Sequence, residues 1–137
     1  MNLVFDPKWD EALPDKDRRK IEQTFQRFVL PNTAGKQMTF TPLWQARNHR
    51  SDLLVTVLIN NYSSQAYSFG NTTLKYVEDD AVKAEKTFTL ERVYVPPDTS
   101  MPWTFIFPES SFTNSSINLH GNLICHNLND LASPDWL

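Results

Sequence analysis

The sequence predicts an all-β domain, an immunoglobulin-like β-sandwich with one N-terminal amphipathic α-helix. Three observations predict it. After Gly35 the apolar residues recur at every second position, the period of strands with one covered face. These runs are short and separated by turn residues every 8–12 positions or so, the spacing of sandwiches and barrels. Before Gly35 the period is that of a helix instead.

Residues 1–13 carry Val4, Phe5 and Trp9 and read as an extended arm laid against the body. From residue 15 to about 28, Ile21, Phe25, Phe28 and Val29 fall at i, i+4, i+7 and i+8, a single apolar stripe. Asp15 is placed to cap the first turn, Asp17 suits the positive end of the helix dipole, and Pro31, Asn32 and Gly35 end the helix. A lone helix of this length is marginal in water, so its stripe must cover apolar surface. That surface is the chain's own sheet, or else a second protomer or a client. The short connection to Lys36 favours the chain's own sheet, because closing a small loop costs little entropy.

In the first long strand Met38, Phe40, Trp44 and Ala46 alternate with Thr39, Thr41, Gln45 and Arg47. Pro42 cannot donate to a sheet ladder, so this strand lies at an edge or is broken there. "LLVTVLI", residues 53–59, is apolar on both parities except at Thr56, which marks a central strand covered on both sides. Asn60 and Asn61 then turn the chain. Tyr67, Phe69, Leu74 and Tyr76 indicate one or two short strands around Gly70, and Glu78, Asp79 and Asp80 a solvated turn. Val82, Ala84, Phe88 and Leu90 alternate into the next strand, with Lys86 as the exception. A last strand runs from Ile117 to about Cys125. The domain thus divides into an arm and helix (1–34), a sandwich (37–127) and a tail (128–137) that carries Trp136.

"TSMPWTFIFP", residues 99–108, places Trp103, Phe105 and Phe107 on one face of a strand and Thr104 and Ile106 on the other. Pro102 and Pro108 delimit the strand, and Pro96 and Pro97 force an extended approach to it. Each aromatic side chain can bury roughly 150–250 Å². Three in a row on one face point to a core rather than a ligand box, with Trp103 against the central strand near Val55 or Val57.

A chain of 137 residues with 40% hydrophobic and 21% charged residues is one domain's worth of ordinary globular protein. It can bury a core without disulfides or metals. Nine Pro against three Gly favour defined turns. Thirteen basic against 16 acidic residues, net −3, lack the basic excess of a nucleic-acid module. Arg18, Arg19 and Lys20 stand among Asp15, Asp17 and Glu22 and read as a solvated helix face. The single Cys125 allows no intrachain disulfide and fits a reducing compartment. The N-terminus lacks a signal-peptide pattern, and the longest apolar run is far short of the roughly 20 residues of a membrane span. A cytoplasmic location is the expectation.

The histidines are His49, His120 and His126. "HGNLICH" invites a metal reading, but alternation turns His120 and His126 outward and Cys125 inward. The six-residue separation of the two histidines spans about 20 Å of strand. His49 lies in the polar turn "RNHR". Gly35, Gly70 and Gly121 compose no phosphate-cradling loop, and no serine sits in G-x-S-x-G. No catalytic, cofactor-binding or metal-binding residues are expected on these grounds.

Several stretches resemble a known family: Trp9 followed by "ALP", "KIEQTF", "TPLW" with "ARNH", "DLLVTVLINN", "EKTFTL" and "VPPDTSMPWTFIFP". Together they are similar to the SLAP domain of Firmicute bacteria, over roughly residues 8–108. That family takes its name from a surface-layer assembly protein of the accessory Sec export pathway, which carries two copies; here the resemblance covers one. The resemblance implies no catalytic residues, and Pro97, Pro102, Trp103, Phe105 and Phe107 match its motif as structural positions.

The expected function is a non-enzymatic module that binds or assembles a partner protein, linked to protein export or to envelope and surface-layer biogenesis, without nucleic acid or a membrane span. The alternatives are a self-associating structural protein that forms a homo-oligomer, or an enzyme whose site the sequence does not advertise. Candidate interaction residues are Ile21, Phe25 and Phe28 on the helix and Trp44 next to the candidate edge at Pro42.

Overall fold

The doubly apolar run around Val55 and Val57 organises the whole molecule. The computed structural model of the chain describes residues 1–29, 38–114 and 116–125. Its elements are β1 (Asn2–Leu3), α1 (Pro7–Ala12), α2 (Asp15–Phe28), β2 (Met38–Arg47), β3 (Leu53–Asn61), β4 (Tyr67–Glu78), β5 (Ala81–Val95), β6 (Thr99–Phe107) and β7 (Asn122–Cys125). Two sheets form, in the orders β1-β6-β3-β2 and β5-β4-β7. The architecture is therefore an all-β sandwich with helix at its N-terminal end. β1 pairs parallel with β6; the other ladders are antiparallel.

β3 is buried on both faces. On its inner face Leu53, Val55, Val57 and Ile59 meet Phe40, Phe69, Tyr76, Phe88, Phe105 and Phe107 in the sandwich core. Phe105 joins the sheets there, with ring centroids 6.2 Å from Phe40, 5.4 Å from Phe69 and 5.2 Å from Phe88. On the outer face Leu58 packs with Ile21, Val29 and Leu43 in a second cluster that also holds Trp9, Phe25 and Trp44. The helix stripe thus lies on the chain's own sheet, with Ile21 wholly buried.

Several expectations change. The supposed arm contains β1 and the six-residue helix α1, which Pro7 opens and Asp6 caps by accepting from the Lys8 N–H at 3.1 Å. There are accordingly two N-terminal helices rather than one. Asp15 does not cap α2; Pro14 holds that position without a side-chain bond, and Asp15 and Asp17 sit in the first turn, where the helix dipole favours them. Phe28 leaves the stripe and is 61% exposed, because the chain turns extended at Val29 and buries that residue instead.

β2 is an edge strand, and it is also irregular at Pro42, with a register shift between Pro42 and Trp44. The extra residue, Leu43, reverses the phase of the rest of the strand. Trp44 therefore stands opposite Thr56 on the outer face, and Gln45 opposite Val55 points inward, the reverse of simple alternation. Asn60 and Asn61 do not turn the chain: they end β3. The Asn61 amide donates to the carbonyls of Gln65 and Val95, at 2.8 and 3.0 Å, and holds the crossover to the second sheet. β4 is one strand of 12 residues with irregular register between Ser68 and Thr72. Asp79 and Asp80, with φ of 50° and 67°, make the tight turn into β5. The last strand is only Asn122–Cys125. The turn signals Pro31, Asn32 and Gly35, His126, Trp136 and the tail at 128–137 lie outside the described residues.

Candidate functional site

Trp103 is where the two readings of "PWTFIF" separate. Phe105 and Phe107 are 1% and 0% exposed and belong to the core. Trp103 stands opposite Val57 and packs against the core, as expected, but keeps part of its indole exposed. Trp9 of α1 stacks against its indole at 6.3 Å, and the Arg92 guanidinium of β5 lies 5.4 Å above it. Arg92 also pairs with Asp6 at 2.5 Å. Asp6 therefore both caps α1 and ties that helix to β5, so two separate elements converge on one side chain of β6.

Beside Trp103 opens a recess of about 330 Å³ walled by Trp9, Leu13, Pro14 and Trp103, with Lys8 and Arg92 as its charged lining. A second cavity of about 350 Å³ lies between Trp103 and residues 89–92 of β5 and shares Arg92 with the first. Both follow the outer flank of β6. β1 covers that flank only at its start, where Val4 donates to the Ser100 carbonyl at 2.9 Å. The next outward-facing residue is Pro102, which has no N–H to offer, so the ladder ends. By strand alternation the N–H and C=O groups of Thr104 and Ile106 point away from β3. Among the described residues no strand pairs with them.

The β2 and β5 edges are blunted in ways that this one is not. β2 carries Pro42 and its bulge, and the Asn122 side chain donates to the Phe40 carbonyl at 3.0 Å. β5 is bridged at Ala84 by Phe112 and carries Glu85, Lys86, Glu91 and Arg92 further along. On β6, Ile106 is 49% exposed.

A second cluster is polar and fastens the fold. Glu78 is 1% exposed and has no cation within ion-pair distance among the described residues, so it is not part of a solvated turn. Tyr76 O–H donates to its Oε2 at 2.6 Å, and the N–H of Asn118 approaches both carboxylate oxygens at 3.0 Å. The His120 N–H adds a longer bond of 3.4 Å. Burial raises the carboxyl's affinity for a proton, but these donors outweigh it and hold the group below the usual carboxylate range. The Tyr76 hydroxyl is pushed up by burial and by its bond to Glu78. Gly121 passes so close that a Cβ there would stand 2.4 Å from the Val77 carbonyl oxygen. The Gln45 amide donates to the Gly121 carbonyl at 2.6 Å. The cluster clamps residues 116–121 onto β4 and β2.

Of the residues singled out from sequence, Pro102, Phe105 and Phe107 are buried, Pro97 is exposed in the turn before β6, and Trp103 lines the recess. Ile21, Phe25 and Trp44 are packed together between helix and sheet rather than offered to a partner; Phe28 alone of that set is exposed. His49 is exposed, and His120 turns outward with Nε2 3.1 Å from Asp79. Among the described residues no three His, Cys, Asp or Glu side chains gather as metal ligands. Sequence reasoning misses Lys8, Arg92 and Glu78, and it leaves Trp9 in an arm. "W-(x)2-ALP" is the one sequence signal that touches Trp9.

Fold and site together define a small sandwich with a helix-walled recess beside an open strand. A family model described as the SLAP domain matches residues 3–127, and the chain belongs to the SLAP domain family. No curated protein and no solved structure matches it. No helix among the described residues is long and apolar enough to cross a membrane.

Proposed function

We propose that this chain is a non-enzymatic, cytoplasmic protein-binding module that receives an extended segment of a partner as an added strand along β6. Its family membership favours a role in protein export or surface-layer assembly. The observation that carries the reading is the coincidence of outward-facing backbone groups at Thr104 and Ile106 with an apolar recess at Trp103. Strand addition takes its affinity from main-chain hydrogen bonds and its specificity from side-chain pockets, and both are present side by side. The charged groups lining the recess are Lys8 and Arg92, and no carboxylate, histidine, cysteine or serine lines it beside them. A binding reading uses these residues; a catalytic one leaves them idle.

Selection of displayed random peptides on the purified chain tests the reading. Peptides of strand-forming composition are expected to be enriched, and Ile106→Pro is expected to weaken them by about tenfold or more, since each lost 1.4 kcal/mol is tenfold. That substitution removes an outward N–H from an exposed position while leaving the ladder with β3 in place. Peptides that bind the Ile106→Pro chain equally well would contradict strand addition at this edge.

A further inference from the structure

We infer that the segment received at this edge is acidic and carries one aromatic or leucine-sized anchor, which enters the recess against Trp9 and Trp103 while the acid lies over Lys8. The inference rests on the reading of β6 as a strand-accepting edge and adds the chemistry of what it accepts.

Size and wall composition define the anchor. A recess of about 330 Å³ lies at the lower end of ligand pockets, which run from about 300 to 1,000 Å³. It takes one large side chain, not a cofactor. Trp9, Leu13, Pro14 and Trp103 supply apolar surface for such a side chain to bury against.

Charge defines the neighbour of that anchor. No carboxylate lines the recess. Arg92 is already committed, with its guanidinium over Trp103 and one Nη on Asp6. Of the two acids on α1, Asp10 is held by Arg18 at 2.7 Å, and Glu11 is not among the residues lining the recess and makes no ion pair with Lys8. Lys8 is exposed and makes no ion pair among the described residues. It is therefore the cation at the mouth whose charge is unspent. The second cavity against Trp103 has Glu91 beside Arg92 in its lining, whereas the recess has two cations and no carboxylate, so an acid is favoured more in the recess. Successive residues of an extended segment advance about 3.3 Å, so an acid one or two positions from the anchor can face Lys8.

Three synthetic peptides of one strand-forming sequence provide the test: one with adjacent Phe and Asp, one with Asp replaced by Lys, and one with Phe replaced by Ala. Binding is read by NMR from the indole N–H signals of Trp9 and Trp103. The acidic peptide is expected to bind about fivefold more tightly than its lysine analogue, the scale of an exposed ion pair, with the difference fading at high salt. The Ala analogue should leave both indole signals unmoved. Lys8→Glu, at an exposed position, should reverse the charge preference. Equal affinity of the acidic and lysine peptides, with Ile106→Pro weakening both, would overturn the acidic chemistry and keep the strand-accepting edge. Absence of binding by all three to the folded chain would overturn both. Self-association abolished by Ile106→Pro would assign the edge to a second copy and overturn the inference likewise.

Discussion

Phe105→Ala is expected to destabilise the protein by about 3–5 kcal/mol, the range for emptying a buried aromatic site. Phe105 is 1% exposed and its ring meets Phe40 and Phe69 and Phe88, so it contacts both sheets at once. Its removal opens a cavity that neither sheet can fill without shifting against the other. Against a typical total of about 5–15 kcal/mol, that loss leaves little or nothing for a marginal domain. Trp103→Ala is expected to cost about half as much, because the indole is only half-buried and part of its contact is with α1 and Arg92. Urea unfolding of the two variants measures the order. A Phe105→Ala chain with an unchanged midpoint, or one hurt less than Trp103→Ala, would contradict this placement of the core.

Glu78→Ala is expected to cost about 1–3 kcal/mol, because it removes the acceptor of the Asn118 and His120 N–H groups, while the Tyr76 hydroxyl keeps Gln45 Oε1 as an acceptor at 2.7 Å. The carboxyl also makes stability depend on pH. Its proton affinity in the folded chain lies below the ordinary value of 4.5, so ionisation favours folding. The stability it contributes is complete above that ordinary value and is lost as pH falls through the lower, folded one. Unfolding midpoints measured from neutral pH into the acid range should therefore decline more steeply for the native chain than for Glu78→Gln. Parallel declines in the two chains would show that Glu78 is not the group responsible.

The legible parts of this fold are those where neighbouring residues carry the whole signal. Residues 53–59 announce a strand buried on both faces because both parities are apolar, and Pro42 announces an edge because it lacks a donor. Trp103, Phe105 and Phe107 announce a face by parity alone. α1 is illegible because six residues are too few to show a stripe, and its cap at Asp6 is shared with Arg92, far away along the chain. Trp44 and Gln45 exchange faces because a single extra residue at Leu43 resets the phase, and nothing in local periodicity marks where a bulge falls. Glu78 looks solvated beside Asp79 and Asp80; its donors come from residues 118 and 120, which only tertiary structure brings within reach.

The site divides along the same line. Trp103 is visible as an aromatic of the motif, and parity alone assigns it to the core with its neighbours. What makes it half a wall instead is Trp9 on one side and Arg92 on the other, both brought there by tertiary contacts. The open edge depends on Pro102 in a second way. Beyond delimiting the strand, it denies β1 the donor needed to extend along β6.

Residue-resolved amide hydrogen exchange of the unbound chain tests the open β6 edge most directly. Met101, Trp103, Phe105 and Phe107 turn their N–H groups toward β3 and are expected to exchange slowly, whereas Thr104 and Ile106 turn theirs outward and are expected to exchange fast. An alternating pattern along this one strand is the predicted result. Equal protection of Thr104 and Ile106 with their neighbours would mean that the edge is already covered, and the account of β6 as a receiving strand would fail.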